Sequence, residues 1–290
     1  MKIVTILGFL LIGFTAQSQK SVVQVKEEVI EYKKIDTISL KLHLYKPLDF
    51  DASKTYNAMV FFHGGGWNGG SYKAFKRQSM YLASRGMIAI SVEYRVKKVH
   101  GTSPFVAVED AKSAIRYVRE HAKDLNINPT MIASGGGSAG GHLAAACGNI
   151  VGLDLKTENL KISSKPNSLV LFNPVYDNSK NGYGYKAIEG RVDEISPLHN
   201  ISKGAPPTIV FFGTNDKTTP VSSSREYDKK MKAIGSRNEL CLYEGAAHSF
   251  FNKGAYFVDT VDKMDDFLVS LKYLNGASTV KEQYAFMLGK

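Results

Sequence analysis

Cysteine is scarce in this sequence, with only Cys147 and Cys241 among 290 residues. Two cysteines in apolar segments are better explained as small buried side chains than as a disulfide framework. The spacings CxxC and HExxH, which are typical of zinc sites, do not occur. The sequence therefore favours neither a disulfide-stapled fold nor a built-in metal centre, and we expect no metal and no cofactor.

Clustered positive charge is also missing, although the formal net charge is +10. The lysines are spread along the chain in nothing longer than doublets such as Lys33-Lys34 and Lys97-Lys98, and no arginine-rich run occurs. Nucleic-acid-binding segments usually concentrate their basic residues in one patch or tail. We therefore interpret the charge as a solvated surface and expect no nucleic-acid partner.

Apolar runs long enough to span a bilayer comfortably are absent. The apolar run near the start, residues 3–14, is too short to do so. It follows Lys2 and precedes Ala16-Gln17-Ser18, which is the pattern of a secretory signal peptide. We expect a signal peptide at residues 1–18, with export to the periplasm or outside the cell and no stable membrane insertion afterwards. An uncleaved membrane anchor is the alternative interpretation of the same segment.

Apolar strand-like runs alternate with segments of helical spacing from about residue 57 onward. The clearest strand candidates are NAMVFFHG, MIAISVEY, SLVLFNPV and PTIVFFGT. This alternation is typical of a mostly parallel sheet with helices on both faces, and KEEVIEYKKIDTISLKLHLYKP predicts two further strands at an antiparallel edge. We expect one domain over residues 19–290, with the functional residues beyond the carboxyl ends of the strands.

The stretch MIASGGGSAGGHLAAA, which begins at Met131, gathers glycines around Ser138. A phosphate-binding loop of the NTPase type is excluded because no Gly-Lys pair follows the glycines. A dinucleotide fingerprint, GxGxxG, is formally present from Gly135, and Asp154 lies roughly twenty residues further on. The third interpretation is GxSxG from Gly136 to Gly140, a nucleophile elbow between a strand and a helix.

Three other segments favour the nucleophile elbow. The loop HGGGW from His63 follows an earlier strand and can supply backbone amides to an oxyanion hole. Asp216 follows the strand candidate PTIVFFGT, and His248 follows the last strand candidate, ELCLYEG. The order Ser138, Asp216, His248 is the one that this architecture uses, whereas a dinucleotide site explains none of these segments.

These motifs resemble those of the α/β-hydrolases, and more narrowly the hormone-sensitive-lipase-like carboxylesterase and acetyl esterase branch. The similarity covers roughly residues 40–272 through HGGGW, EYR, EDAKSAIRYVREHA, INPTMIASGGGSAGGHLAA, GTNDKTTP and HSFFN. The sequence is also similar to exported esterases associated with polysaccharide breakdown. The resemblance implies an α/β-hydrolase fold with a mostly parallel twisted sheet and a small cap at residues 176–200. It departs from the family pattern at Gly137, where GDSAG is common.

Serine needs an adjacent base to act as a nucleophile, and we assign His248 as that base for Ser138. Asp216 is the predicted acid that orients the imidazole, with Asp177 as the second choice. The amides of three residues are the predicted oxyanion hole: Gly65, Gly66 and Ala139. We expect His63 to support its loop, and His142 to be a structural helix residue.

Four aromatic residues are candidate substrate contacts: Trp67, Tyr176, Tyr183 and Tyr185. The partner is expected to be a small-molecule or polysaccharide-borne ester, with acetyl or feruloyl esters favoured by predicted export and by the resemblance. Two alternatives remain, a prolyl-oligopeptidase-type serine peptidase and a noncatalytic binding protein on the same scaffold.

Overall fold

The structure, a computed structural model, describes residues 25–289, so the predicted signal peptide at residues 1–18 lies outside the described residues. One sheet contains eight strands within this range: β1 (Lys26–Ile35), β2 (Ile38–Lys46), β3 (Tyr56–Phe62), β4 (Ile88–Val92), β5 (Ile127–Gly137), β6 (Ser168–Phe172), β7 (Thr208–Gly213) and β8 (Asn238–Tyr243).

The helices follow the strands along the chain. The α-helices of the described residues are α1 (Lys76–Ser84), α2 (Lys97–His100), α3 (Pro104–Glu120), α4 (Ala139–Asn149), α5 (Val192–Ile195), α6 (Val221–Ala233), α7 (Gly254–Ser270) and α8 (Val280–Gln283). Single 3₁₀ turns occupy Tyr72–Phe75, Pro197–His199, Phe250–Asn252 and Ala285–Met287. No helix of this range is both long and apolar enough to cross a membrane.

The strand order in the sheet is β1-β2-β4-β3-β5-β6-β7-β8. The pairs β1–β2 and β2–β4 are antiparallel, and all other neighbouring strands run parallel. The predicted α/β architecture, with its two-stranded antiparallel edge, is therefore confirmed. Parallel neighbours need crossover connections, and α1, α3, α4 and α6 lie within those connections.

Both faces of the sheet are buried, as the apolar strand sequences predict. Successive side chains of a strand point to opposite faces. Val60 and Phe62 of β3 therefore belong to one apolar cluster, which includes residues of α3, α4 and α6. Met59 and Phe61 belong to a second cluster, which includes residues of α1 and α7. Helices thus cover both faces of the sheet.

The segment between β6 and β7, residues 173–207, is the candidate cap. It contains α5 and the 3₁₀ turn Pro197–His199 and is otherwise irregular. This small cap matches the one predicted at residues 176–200. The carboxyl ends of β3, β5, β7 and β8 lie along the same edge of the sheet, because these strands run parallel, and they bring the loops after them together.

Candidate active site

Ser138 occupies a strained turn between β5 and α4. Its backbone angles are φ 54° and ψ −121°, a region that side-chain-bearing residues rarely adopt. The Ser138 amide donates to the Phe172 carbonyl at 3.0 Å, and the Ser138 carbonyl accepts from the His142 amide at 3.0 Å. These bonds fix the turn from both sides and hold the serine at the start of the helix, which is the geometry of a nucleophile elbow.

Gly136 and Gly140 permit this turn because the backbone there is crowded. A Cβ on Gly136 would lie 2.5 Å from the Phe62 carbonyl oxygen and 2.6 Å from the Gly140 carbonyl carbon. A Cβ on Gly140 would collide with the same Phe62 oxygen. The two glycines thus allow β5, α4 and the end of β3 to approach closely, which gives the GxSxG spacing a physical reason.

The dinucleotide interpretation gains no support from the position of Asp154. Its carboxylate forms ion pairs with Lys112, at 3.2 Å, and with Arg116, both on α3. An acid that binds a ribose hydroxyl needs a carboxylate that is open to the ligand. Here the carboxylate is part of a network that anchors the loop between α4 and β6.

His248 and Asp216 are joined by a short hydrogen bond. His248 Nδ1 donates to Asp216 Oδ2 at 2.6 Å, and the Asp216 side chain is fully buried. The same carboxylate accepts from the Thr218 amide at 2.8 Å, the Thr219 amide at 3.0 Å and the Thr219 hydroxyl at 2.9 Å. Because Nδ1 carries the proton, Nε2 of the neutral ring is left as the acceptor.

The hydrogen bonds on Asp216 keep it ionised. Burial raises the pKa of the Asp216 carboxyl, but hydrogen bonds from His248 and from the amides of Thr219 and Thr218 outweigh burial. The pKa of Asp216 therefore lies below its ordinary value. A carboxylate that is negative at neutral pH is the group required to stabilise a developing imidazolium.

Asp177, the second predicted acid, is engaged elsewhere. Its two carboxylate oxygens accept from the Ser179 amide at 2.7 Å and the Ser179 hydroxyl at 3.0 Å. These bonds form a local turn in the cap loop. The geometry therefore favours Asp216 over Asp177 as the partner of His248.

Ser138 and His248 line one cavity of about 430 Å³. Gly64, Gly65 and Gly66 line it as well. No hydrogen bond joins Ser138 to His248 among residues 25–289, so the proton-transfer contact stays a prediction. Such contacts are often long without substrate and tighten when substrate binds.

The amides predicted for the oxyanion hole are available for binding. Within the described range, the amides of Gly65 and Gly66 donate to no protein acceptor. Ala139 is the first residue of α4, and a first-turn amide has no partner inside its own helix. The helix dipole adds positive potential at the same end. These donors lie next to Ser138 in the chain or line its cavity.

His63 and His142 have supporting positions, as expected. His63 Nδ1 donates to the Gly64 carbonyl at 2.8 Å, and its ring stacks on Tyr94 at 4.2 Å. His142 Nε2 donates to the Ile195 carbonyl at 3.0 Å and ties α4 to the cap. Burial lowers the pKa of His63, and it lowers the pKa of His142 to about 4, so both rings are neutral at pH 7.

The structure corrects the assignment of Tyr176 as a substrate contact, and it places Trp67 outside the cavity at Ser138 but in the lining of a neighbouring cavity. Trp67 is 2% exposed and packs edge-on against His142, at 4.9 Å between ring centroids. Tyr176 is fully buried and stacks on Tyr227 of α6 at 3.8 Å. Neither residue lines the cavity at Ser138, because each is covered by the cap or by a helix.

The two cap tyrosines differ from each other. Tyr183 is half-buried and lines the cavity, and its hydroxyl lies so close to Gly66 that a Cβ there would approach it to 2.6 Å. Tyr185 is half-buried but does not line the cavity, and the ammonium of Lys180 lies 5.8 Å from its ring centroid. Tyr183 therefore remains a candidate substrate contact.

Sequence reasoning missed the apolar floor of the cavity. Phe75 and Phe251 line the cavity, and their rings stack with centroids 5.7 Å apart. A Cβ on Gly137 would lie 2.9 Å from the Phe251 ring and 3.4 Å from the Phe75 ring. The unusual glycine before Ser138 thus leaves room for this aromatic pair. No pattern at Phe75 or Phe251 in the sequence signals the contact.

Asn173 is a second missed residue. Its side-chain oxygen accepts from the Ser249 amide at 3.0 Å, immediately after His248 in the chain. This bond orients the loop that carries the histidine.

Both cysteines are free, Cys147 buried and Cys241 half-buried. Among residues 25–289, no group of three or more His, Cys, Asp or Glu could hold a metal ion.

The chain resembles known esterases in two separate comparisons of its sequence. The BD-FAE family model matches residues 42–180, and the dienelactone hydrolase family model matches residues 177–273. Esterase LipC of Mycobacterium tuberculosis is 26% identical over 68% of this chain and 54% of its own length. An acetylxylan esterase of Xylanibacter ruminicola is 26% identical over 67% of this chain and 41% of its own length. The chain thus spans about half the length of the curated relatives it matches.

Solved structures of esterase 2 from Thermogutta terrifontis are similar to this chain over nearly their whole length. The propionate-bound form is 42% identical with a TM-score of 0.82, and the butyrate-bound form is 41% identical with a TM-score of 0.82. The form phosphorylated by paraoxon is 42% identical, also with a TM-score of 0.82. Each match covers 86% of this chain and 96% of the other. The chain therefore belongs to the carboxylesterase family of the α/β-hydrolase fold.

Proposed function

We propose that this protein is a secreted serine carboxylesterase that hydrolyses carboxylic esters through an acyl-enzyme, with acetyl or feruloyl esters on polysaccharide as the favoured substrates. One observation carries the proposal: Ser138, in the strained turn of an elbow, shares a cavity with His248, which is hydrogen-bonded to the buried Asp216. No other group of described residues combines a nucleophile, a base and an orienting acid in this way.

The first half of the reaction acylates the serine. His248 Nε2 accepts the Ser138 hydroxyl proton while the oxygen attacks the ester carbonyl carbon. The carbonyl oxygen becomes negative and accepts hydrogen bonds from the amides of Gly65, Gly66 and Ala139, each worth roughly 3 kcal/mol in the transition state. The tetrahedral intermediate then collapses, and His248 returns the proton to the departing alcohol.

The second half releases the acid. A water molecule takes the place of the alcohol, gives a proton to His248 and attacks the acyl carbonyl. Collapse of this second intermediate breaks the bond to Ser138, which recovers the proton. Asp216 stays ionised throughout and stabilises the imidazolium of His248 in both halves. The chemistry balances without a metal ion or a cofactor.

The similar proteins support a short acyl group in the proposed substrate. The Thermogutta esterase binds propionate and butyrate, which are short carboxylic acids. In this chain the floor formed by Phe75 and Phe251 closes the cavity next to Gly137. We therefore favour acetyl over feruloyl esters. The acetylxylan esterase relative supports a polysaccharide carrier, and the signal-peptide pattern at residues 1–18 supports secretion.

The Ser138→Ala variant tests the proposal. Removal of the nucleophile should lower kcat for p-nitrophenyl acetate by roughly 10⁴-fold or more, because the triad acts as a unit. The measurement is release of p-nitrophenol by the purified full chain and its variant. Full activity in Ser138→Ala would contradict the serine mechanism, and an inactive wild-type protein would favour the noncatalytic alternative.

The natural ester needs a separate measurement. Wild-type protein incubated with acetylated xylan should release acetate, and release from methyl ferulate should be slower. If neither acid is released while p-nitrophenyl acetate is cleaved, the polysaccharide part of the proposal is wrong and the esterase part stands.

A further inference from the structure

We propose that the ester cleaved by this protein is carried on an anionic polymer, a carboxylate-bearing polysaccharide, which is held by lysines around the mouth of the active-site cavity. The inference rests on the proposed function, since it concerns the carrier of the ester and not the chemistry. We call these residues the lysine collar: Lys73, Lys97, Lys98, Lys180, Lys186, Lys217 and Lys253.

Five collar lysines lie in segments that line the active-site cavity, whereas Lys97 and Lys98 lie on the loop after β4. Each parallel strand other than β5, the strand that carries Ser138, is followed by at least one of these lysines. Three of them are direct chain neighbours of residues that line the cavity: Lys73 precedes Ala74, Lys217 precedes Thr218 and Lys253 follows Asn252. Lysines that look scattered in the sequence are therefore gathered at one edge of the sheet.

A second cavity extends the collar toward the reacting atoms. It has a volume of about 250 Å³ and is lined by Lys97 and Lys186, and also by Trp67 and the exposed Glu189. Gly66, whose amide belongs to the predicted oxyanion hole, lines both this cavity and the one at Ser138. A polymer that fills the second cavity is thus adjacent to the place where its ester is cleaved.

Among residues 25–289, the collar ammonium groups have no acidic partners. All seven side chains are exposed, and within residues 25–289 none of them forms an ion pair or a hydrogen bond. Two contact a neighbouring ring, Lys73 over Tyr72 and Lys180 over Tyr185, each at 5.8 Å. Residues 1–24, which the structure does not describe, contain no Asp or Glu that could pair with them.

Acidic residues also lie in the same segments, and some of them are hydrogen-bonded. Glu93 is hydrogen-bonded to His43 at 2.9 Å, whereas Asp177 and Asp216 have the partners described above. Within the part of the chain that the structure describes, Glu189, Asp193 and Glu244 have no such partner in these segments, and Glu194 forms an ion pair with Arg191. By formal charge, Lys and Arg residues outnumber Asp and Glu residues by ten to seven in these segments, which leaves an excess of positive charge.

Lysines elsewhere in the fold are of two kinds, since some are paired with acids whereas others, such as Lys123, Lys156 and Lys161, are exposed and unpaired within the described residues. Lys33 forms ion pairs with Glu109 and Asp110, and Lys46 forms one with Glu28 at 2.6 Å. Like charges that face one another repel and destabilise a compact protein. A collar of unpaired lysines around a catalytic cavity instead raises the local concentration of anions and their rate of association.

The chemistry of the site narrows the choice of anion. The ligand must carry a carboxylic ester to Ser138, which nucleic acids do not. Lysine ammonium groups act as point charges, without the planar fork with which arginine recognises phosphate. Val99 is the only large apolar side chain on these loops that is described as exposed, too little for docking to a lipid surface. A polysaccharide with carboxylates along its chain fits all three observations.

The test compares an anionic with a neutral polymer. Acetylated polygalacturonate and acetylated xylan provide acetyl esters on the two kinds of carrier. We expect kcat/KM for acetate release to be higher on the polygalacturonate at low salt. That preference should fall about tenfold between about 0.02 M and about 0.5 M NaCl, because added salt screens exposed charges.

Charge variants locate the effect on the molecule. The combined substitutions Lys73→Gln, Lys217→Gln and Lys253→Gln should lower the ratio of anionic to neutral kcat/KM by about tenfold. The matched control is Lys123→Gln, Lys156→Gln and Lys161→Gln, which removes the same charge. These control lysines are equally exposed and lie in the loops before β5 and β6, at the opposite edge of the sheet. The control should leave the ratio unchanged.

Three kinetic outcomes would overturn the inference. They are equal rates on the two polymers at low salt, a preference that salt does not change, and equal effects of the two sets of substitutions. Binding to anionic lipid vesicles without a gain in rate on polygalacturonate would do the same. Cleavage of p-nitrophenyl acetate by the wild-type protein separates these failures from failure of the esterase proposal itself.

Discussion

At the scale of single residues, two side chains define the candidate chemistry through their surroundings. Ser138 is held at positive φ by hydrogen bonds to neighbouring strand and helix backbone, so its hydroxyl is presented at the helix start. Asp216 is fully buried, yet three donors from its own loop and one from His248 satisfy it. The strained backbone and the buried charge each raise the free energy of the folded state, and the contacts of the surrounding fold maintain both.

Asp216→Asn should lower kcat for p-nitrophenyl acetate by roughly 10³- to 10⁴-fold. The amide cannot accept in the same way from His248 Nδ1, so it favours the wrong tautomer and fails to stabilise the imidazolium. The measurement is steady-state hydrolysis at pH 7 with thermal unfolding as a check on folding.

Asp177→Asn is the matched control for this prediction. Its carboxylate serves a turn with Ser179, so we expect less than a tenfold change in kcat. A much larger loss in Asp177→Asn than in Asp216→Asn would reverse the assignment of the acid.

Residue roles could be predicted from the sequence where a local pattern carries them. Gly136 and Gly140 flank the serine in a spacing that the crowded turn requires. The burial of Trp67 and Tyr176 was not predictable, because it depends on partners far away in the chain. Tyr176 stacks on Tyr227, about fifty positions later, and Trp67 packs on a helix that follows β5. No local pattern reports such contacts.

At the scale of elements, the 3₁₀ turn Phe250–Asn252 separates two adjacent phenylalanines. Phe251 lines the cavity and packs on Phe172 with centroids 4.7 Å apart. Phe250 packs on Tyr243 at 4.7 Å and on Tyr256 at 5.4 Å, away from the cavity. One short turn therefore contributes to the active site on one side and to the core on the other.

Phe251→Leu should widen the range of acyl groups that the protein accepts. Loss of the ring opens space beside Gly137, so the ratio of kcat/KM for p-nitrophenyl octanoate to that for the acetate should rise roughly tenfold. An increase of about two methylene groups of apolar contact accounts for that size, at about 0.8 kcal/mol each. The measurement is initial rates over a series of chain lengths.

Phe250→Leu provides the comparison in the same turn. It makes the same change in side-chain volume and should leave the chain-length ratio unaltered, because Phe250 does not line the cavity. If both substitutions shift the ratio equally, the floor assignment is wrong and the effect arises from general loosening of the turn.

The predicted strands NAMVFFHG and PTIVFFGT match β3 and β7 closely, whereas β5 extends further than its apolar residues indicate. The nucleophile-elbow interpretation predicts a strand directly before the glycines, and in the structure this strand, β5, runs from Ile127 to Gly137 and includes three of the glycines. The extension arises from pairing with β3 on one side and β6 on the other, up to Gly136 opposite Phe62 and Gly137 opposite Phe172. Glycines disfavour strands on their own, so only the tertiary pairing explains this part of the strand.

At the scale of the whole molecule, the sheet brings residues that are far apart in the sequence to one edge, which is both charged and reactive. Parallel strands place all their carboxyl ends together, and thus bring Ser138, Asp216, His248 and the lysine collar to the same edge of the fold. The fold class was predictable from the alternation of strands and helices. The concentration of lysines was not, since it emerges only when five separate loops are gathered.

The convergence of Ser138, His248 and Asp216 is tested most directly by covalent labelling with paraoxon, followed by peptide mapping of the modified protein by mass spectrometry. Paraoxon phosphorylates activated serines, so one phosphoryl group should appear on Ser138 as activity is lost. His248→Ala, which lacks the base, should be labelled far more slowly. Inactivation with the label on any other residue, or equal labelling rates in wild type and His248→Ala, would contradict the catalytic site described above.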